Sequence, residues 1–182
     1  GLLSIMNIII RSFWVDGLIY SKRNLLSVKI EGFITEKLSE NIYVEDICRE
    51  FFISKNSLYR LFKEEFGVTV NEFILQKRLA KAKELLEKNQ ELTITEVAAL
   101  CGFNDYNYFI RVFKKETGMN FTQYLQKTRI EQSMRLLSQT ERPINLIAAD
   151  VGYKDLKTYY SIFRRVANTT PAKFRKNHYN NT

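Results

Sequence analysis

Three short stretches of the chain place basic, amide and aromatic side chains at matching spacings. Apolar residues in each stretch recur at three- and four-residue steps, which predicts a helix with one inward and one outward face. The outward residues are Lys55, Asn56, Tyr59, Arg60 and Lys63, then Tyr106, Asn107, Ile110, Arg111 and Lys114, then Leu156, Lys157, Tyr160, Ser161 and Arg164. Arg and Lys pair with guanine edges, Asn pairs with adenine, and apolar atoms contact the thymine methyl group. The pattern therefore favours contact with nucleic acid.

Two other interpretations of these faces stay open. Charged outer faces are ordinary on any soluble helix, and exposed aromatic side chains also mark protein interfaces. Recurrence of the pattern at corresponding positions argues against simple solvation. A protein-interaction surface remains the second hypothesis.

The three faces belong to a repeat with an offset of about fifty residues. The middle copy reads "ITEVAALCGF" from Ile94, and the last reads "INLIAADVGY" from Ile144. The first copy, "VEDICREFFI" from Val44, matches both until one residue is missing near Phe52. Self-similarity at a fixed period predicts an array of like units.

Each repeat predicts two short helices joined by a tight turn. Thr93 and Glu96 have the spacing of a capping box, and Gly102 marks a helix stop because glycine adopts the left-handed conformation without steric cost. The residues predicted to cap the second helices are Ser54, Asp105 and Asp155. The residues predicted to point inward from those helices are Leu58, Leu61, Phe62, Phe109, Val112, Phe113, Tyr159, Ile162 and Phe163. Two helices around a tight turn with an apolar inner corner form a helix-turn-helix.

The outer repeats differ at their edges. Tyr43 and Pro143 precede their first helices and offer no cap of the Thr93 type, and Phe52 with Ile53 replaces the glycine turn. Between repeats, "NEFILQKRLAKAKELLEKN" and "TQYLQKTRIEQSMRLLSQT" predict two long connecting helices, in which Arg78 aligns with Arg129.

Composition excludes several classes of function. The chain has 182 residues and a net charge of +8, which suggests an anionic partner. Cys48 and Cys101 fit no metal or disulfide spacing and are interpreted as small core residues, and His178 stands alone in a polar tail. With no carboxylate pair, activated nucleophile, metal cluster or phosphate loop, the sequence predicts no enzyme, no cofactor and no metal. It predicts no membrane span either.

Three segments resemble the AraC/XylS-type transcription regulators. "LTITEVAALCGFNDYNYFIRVFKKETGMNFTQYL" is similar to the family's second helix-turn-helix, and "ISKNSLYRLFKEEFGVTVNEFILQKRLAKAKELL" to its first with the connecting helix. "TPAKFRKN" resembles the motif that closes the family's domain. The resemblance covers about residues 36 to 177. It implies that two units enter successive major-groove segments on one side of the duplex, and that RNA polymerase is a second partner.

By the same resemblance, the base-reading positions fall on Asn56, Tyr59 and Arg60 in the first unit. In the second they fall on Tyr106, Asn107, Ile110 and Arg111. Lys55, Lys63 and Lys114 complete the expected DNA contacts of these two units.

The third unit departs from the family, which has two. Its Ser161 stands where the middle unit has Arg111, so one expected contact is lost. Two segments of this unit, "KDLKTYYSIFRR" and "KFRK", nevertheless contain seven basic residues and a single acid, Asp155. The basic residues are Lys154, Lys157, Arg164, Arg165, Lys173, Arg175 and Lys176. Together with Tyr160, we expect Lys154, Lys157 and Arg164 to contact DNA, mainly at phosphates. Packing or dimerisation is the alternative for this unit.

The predicted fold class is all-α, with tandem helix-turn-helix units of the homeodomain-like three-helix kind joined by long helices. The predicted organisation is a helical linker from an upstream sensor region over 1–40, repeats over 41–90 and 91–140, and a third repeat with a polar tail over 141–182. The segment before Glu36 could link, pack on the first repeat or dimerise, and Trp14 is interpreted as a core residue.

The predicted function is sequence-specific binding of double-stranded promoter DNA by a bacterial regulator, with a cytoplasmic, nucleoid-associated location. Homodimerisation through the missing upstream region is a further expected contact. The alternative is a helix-turn-helix scaffold used for protein–protein interaction or dimerisation without base readout.

Overall fold

The computed structural model describes residues 25–88 and 92–179, so Trp14 and the rest of 1–24 lie outside the described residues. Every regular element within the described ranges is a helix, which confirms the all-α prediction. The helices are α1 (25–36), α2 (Val44–Glu50), α3 (Lys55–Phe66), α4 (Val70–Lys88), α5 (Ile94–Leu100), α6 (Tyr106–Thr117), α7 (Phe121–Gln139), α8 (Ile144–Asp150), α9 (Leu156–Ala167) and α10 (Pro171–Tyr179).

The chain forms two compact units, Gly1–Arg78 and Leu79–Thr182, whose boundary falls inside α4. The first unit holds the first repeat, and the second unit holds the other two. Each is described by itself below.

The core of the first unit joins α1 to the helix-turn-helix. Ile30, Ile34 and Leu38 are buried in one cluster with Ile47 and Phe62. The described part of the segment before the first repeat therefore packs on that repeat. Phe73 of α4 closes the cluster from the other side, with its ring edge-to-face against Phe62 at 5.2 Å.

The long helix α7 divides its residues between the two repeats of the second unit. Phe121 and Tyr124 at the start of α7 pack against Phe113 of the middle repeat. The second half of α7 supplies Ile130 and Leu137, both fully buried, to the core of the third repeat. Apolar burial of this kind, worth roughly 2 kcal/mol per large side chain, holds both repeats on one helix.

All three helix-turn-helix turns have the same backbone. In the first, the N–H of Ile53 donates to the carbonyl of Cys48, and that of Phe52 donates to Arg49. The middle and last turns repeat this pair of bonds one for one. Such a pair requires a left-handed residue between the helices. Gly102 and Gly152 supply it with φ of 78° and 83°, and Phe52 adopts it with φ of 52°.

Side-chain caps confirm the predicted helix starts. The hydroxyl of Ser54 accepts from the N–H of Ser57, and Thr93 and Glu96 form a reciprocal capping box. Asp105 and Asp155 cap α6 and α9. Tyr43 and Pro143 make no side-chain cap, also as expected.

The predicted inner faces are confirmed, except that one residue is less buried than the others. Leu58, Leu61, Phe62, Phe109, Phe113, Tyr159, Ile162 and Phe163 are buried, and Val112 is half-buried. Cys101 is fully buried, whereas Cys48 is half-buried against the first core.

Candidate nucleic-acid interface

The outer face of α3 presents the five residues that the sequence singled out. Lys55, Asn56, Tyr59, Arg60 and Lys63 are all exposed. They follow the Ser54 cap and occupy the side of the helix opposite the buried Leu58, Leu61 and Phe62, because residues three and four apart share a face.

Both lysines of α3 have partners within the first unit. Lys55 forms an ion pair with Glu45 of α2, and the hydrogen bond between them lowers the pKa of Glu45 and raises that of Lys55. Lys63 donates to the carbonyl of Gly67 at 3.0 Å. A phosphate would have to displace Glu45 to gain Lys55, so Arg60 is the more available cation.

The outer face of α6 presents similar side chains at the corresponding positions, and one of them is half-buried. Tyr106, Asn107, Arg111 and Lys114 are exposed, and Ile110 is half-buried. The guanidinium of Arg111 lies over the ring of Tyr108, with 5.9 Å between its central carbon and the ring centroid.

Tyr108 is a residue of this face that the sequence reasoning missed. Its ring is exposed, and its spacing of three from Arg111 is the signal that predicts contact on a helix. The 5.9 Å between the two groups is within the range of a cation–π interaction.

The outer face of α9 is exposed at every predicted position. Lys157, Tyr160 and Arg164 all reach solvent, as does Ser161, which occupies the place of Arg60 and Arg111. Lys154, which precedes the Asp155 cap, is exposed as well. Arg165 lies to the side of this face and donates to the amide oxygen of Gln126 on α7 at 2.6 Å.

The N-termini of α6 and α9 are poor sites for a phosphate. The free backbone N–H groups at the start of a second helix suit a phosphate. In α6, however, the carboxylate of Asp105 accepts from the N–H groups of Asn107 and Tyr108. Asp155 does the same for Lys157 and Thr158, and its hydrogen bonds, led by the Thr158 hydroxyl, lower the pKa of its carboxyl. A phosphate at either start would meet a carboxylate, so any phosphate contact of these two helices has to come from side chains.

The aligned arginines of the connecting helices have different contacts. Arg78 donates from its guanidinium to the carbonyls of Leu38 and Glu40, which fixes the chain before α2. Arg129 instead lies over the ring of Tyr153, with its central carbon 5.5 Å from the centroid.

Neither a metal site nor a membrane helix is found over the described ranges. No three His, Cys, Asp or Glu side chains gather there in a way that could hold a metal ion. None of the described helices combines the length and the apolar character that crossing a bilayer requires.

A family model described as "Helix-turn-helix domain" matches the chain twice, at residues 47–120 and 108–177. Together the two matches cover well over half of the chain. This chain belongs to the AraC-type helix-turn-helix family. The resemblance stated from the sequence is thereby confirmed.

Curated relatives of this AraC-type chain are named as regulators. It is 34% identical over 97 residues to the probable transcriptional regulator LumQ of Photobacterium leiognathi, which covers 53% of this chain and 39% of that protein. It is 33% identical over 109 residues to the transcriptional activator RhaR of Enterobacter sp. (strain 638), covering 60% and 38%. The match thus spans less than half the length of these relatives.

One solved structure matches about half of this chain. The C-terminal domain of the response regulator yesN from Fusobacterium nucleatum is 34% identical, with a TM-score of 0.52. It is matched over 96% of its own length but covers 54% of this AraC-type chain. Much of the present chain is therefore additional to that domain.

Proposed function

We propose that this chain reads a specific double-stranded DNA sequence through the outer faces of α3 and α6, as the output region of a transcription activator. The observation that carries the assignment of residues is the match between the two faces. Asn56 and Asn107 are exposed at one corresponding position, and Arg60 and Arg111 at another. Asn and Arg are the side chains that pair in bidentate fashion with adenine and guanine.

The roles within each face follow from its chemistry. Arg60 and Arg111 form hydrogen bonds with guanine, and Asn56 and Asn107 form hydrogen bonds with adenine. Tyr59, Tyr106 and Ile110 contribute apolar contact, and Lys63 and Lys114 neutralise phosphates. The two helices enter successive major-groove segments of a promoter.

The activator role rests on the relatives named as transcriptional activators. RNA polymerase is then the second partner, and a homodimer forms through the part of the regulator upstream of this chain. In this role the chain acts in the cytoplasm, on the nucleoid.

The test of base reading is selection of duplexes from a random library, followed by affinity measurements on the selected sequence. Arg60→Ala and Arg111→Ala should each weaken binding by about 1–3 kcal/mol on that sequence and by much less on random duplex. Arg49→Ala and Arg135→Ala are matched controls, because both arginines are exposed but lie on α2 and α7 rather than on a reading face. We expect the controls to bind as the unchanged chain does.

The outcomes separate three cases. A loss at Arg60 or Arg111 that is equal on all sequences makes that residue a phosphate contact. No enrichment of any sequence, with weak and salt-insensitive binding, contradicts the proposal and favours the protein-interaction module, because phosphate-dominated affinity falls steeply with salt.

A further inference from the structure

We infer that α9 of the third repeat is a third DNA contact, which binds the phosphates of an additional major-groove segment with little base readout. This inference rests on the proposed function of α3 and α6. It makes the middle repeat common to two overlapping DNA-binding modules.

The first support is that the third repeat forms a full module with the middle one. The second family match, 108–177, runs from α6 to α10. The connecting helix α7 has 19 residues, the same length as α4. At 1.5 Å per residue, 19 residues extend about 28 Å, which is comparable to one turn of the duplex at about 34 Å.

The second support is the charge of the repeat. Residues 44–66 carry four basic and five acidic side chains, and residues 94–117 carry three of each. Residues 144–167 carry four basic and two acidic side chains, and α10 adds three more basic residues and no acid. Of the two acids, Asp150 is paired with Arg142 and Asp155 caps α9. The surface around α9 therefore keeps an excess of positive charge.

The third support is the availability of the cations on the outer face. Lys157 and Arg164 are seven residues apart on α9, so they lie on one face, with Tyr160 between them. Both are exposed, and neither forms an ion pair with another described residue. Lys157 does lie near enough to the Asp155 cap for its charge to add to the hydrogen bonds that lower the pKa of that carboxyl, so Arg164 is the more available of the two. By contrast, Lys55 at the start of α3 is paired with Glu45.

The residues on this face favour phosphate over bases. Lys157 replaces Asn56 and Asn107, and Ser161 replaces Arg60 and Arg111, so the side chains with bidentate base geometry are gone. Arg164 keeps the cation that Lys63 and Lys114 supply in the other repeats. A helix that loses its base-reading groups but keeps its cations suits a contact that is insensitive to sequence.

The test combines a protein change with a DNA change. Deletion of residues 140–182 is unsuitable because it would expose Ile130 and Leu137 of α7, which are buried in the third core. The variant is the double substitution Lys157→Ala with Arg164→Ala in the full chain. Its control is Lys88→Ala with Lys127→Ala, which removes the same charge from lysines paired with Glu84 and Glu131 on their own helices.

Affinity is measured against salt on the selected duplex and on the same duplex shortened by one turn at the end nearest the third repeat. That end is found by hydroxyl-radical footprinting. On the long duplex, the variant should bind more weakly and show a log–log salt slope smaller by about 2, one unit for each lost phosphate. The unchanged chain and the control should bind the short duplex more weakly than the long one. The variant should bind both duplexes with the same affinity. Randomising the bases of the third segment should change affinity less than two-fold.

Other outcomes overturn the inference. If the variant keeps the salt slope and the footprint of the unchanged chain while specific binding persists, α9 does not contact DNA and its face serves a protein partner. A strong effect of base identity in the third segment contradicts phosphate-only contact. If neither the unchanged chain nor any variant binds duplex specifically, the proposed function itself fails, which is a distinguishable result.

Discussion

The middle and third repeats have the same helix caps and turns but different core residues. Both begin α6 or α9 with an aspartate cap, and both turn through a left-handed glycine, Gly102 or Gly152. Their cores differ, because Phe109 of the middle repeat is replaced by Tyr159 and Ala82 by Ser133. The backbone of the motif is therefore set by caps and turns, and each repeat is free to change its core polarity and outer charge.

The buried pair in the third core shows how such a change is tolerated. The hydroxyls of Ser133 and Tyr159 form a 2.6 Å hydrogen bond with no exposure to solvent. A buried hydroxyl without a partner costs about 1–3 kcal/mol, so the two substitutions are favourable only together.

The first repeat offers a second contrast. Its turn has the bonds of the glycine turns but places Phe52 at the left-handed position, with 94% of that residue exposed. A non-glycine residue in this conformation costs about 1 kcal/mol or more. The bonding pattern of the turn therefore outweighs the preference of the residue that occupies it.

The expected effect with the largest full amplitude, and one that separates the two cores, is a dependence on alkaline pH. Burial raises the pKa of Tyr159 to about 12, above its unfolded value of about 10. The stabilisation that goes with this shift is complete below pH 10 and is lost as the pH rises through 12, at most roughly 2–3 kcal/mol. Between about pH 8 and pH 11, the free energy of unfolding should fall by about 1 kcal/mol more in the unchanged chain than in Tyr159→Phe. Parallel pH curves for the two proteins would contradict this.

Glycine substitutions should distinguish the turn from the helix ends. A Cβ at Gly152 would lie 2.9 Å from the guanidinium of Arg129 at a φ of 83°. Gly118→Ala meets only the conformational cost, since no heavy atom lies within 4 Å of its Cβ. We expect Gly152→Ala to lower the free energy of unfolding by roughly 2 kcal/mol and Gly118→Ala by roughly 1 kcal/mol, measured by urea titration. Equal losses would show that Arg129 moves away from Tyr153 at no cost.

A double-mutant cycle tests the Ser133–Tyr159 pair directly. Ser133→Ala and Tyr159→Phe should each destabilise the protein by about 1–2 kcal/mol, because each leaves one buried hydroxyl unpaired. The double substitution recreates the Ala82 and Phe109 combination and should be close to neutral. Additive losses in thermal unfolding would mean that the hydroxyls act independently.

The smallest effect concerns Tyr153, which replaces Phe103 of the middle repeat. Its hydroxyl is buried and has no hydrogen-bond partner among the described residues. Tyr153→Phe should raise the free energy of unfolding by about 1 kcal/mol or somewhat less, since it removes an unpaired polar group. Phe103→Tyr is the reciprocal control, and a stabilising effect there would contradict the explanation.

The sequence predicts the local features of the fold well because they depend on neighbouring residues. The Thr93–Glu96 capping box and the caps by Ser54, Asp105 and Asp155 need only three- or four-residue spacing, and all are present. The repeat also supplies the inward and outward faces. The contribution of each outward residue to DNA binding stays a prediction.

Features that depend on distant residues were not predictable in this way. Ser133 and Tyr159 are 26 positions apart, and no repeat partner has the same pair. The occupation of the α6 and α9 N–H groups by Asp105 and Asp155 followed from the predicted caps, but its consequence for phosphate needed the hydrogen bonds. The packing of α1 was one of three open roles, because a stripe such as Ile30, Ile34 and Leu38 does not name its partner.

The division of α7 between two cores sets where this part of the protein can be cut and joined. The first half of α7 serves the middle repeat and the second half serves the third, so the loop over 140–143 is a poor place for a boundary. A splice at the helix midpoint, near Arg129, would keep each half with the core that it completes. We expect recombination of repeats to preserve folding when the junction lies within α7 near Arg129, because each core then keeps the half of the helix that completes it.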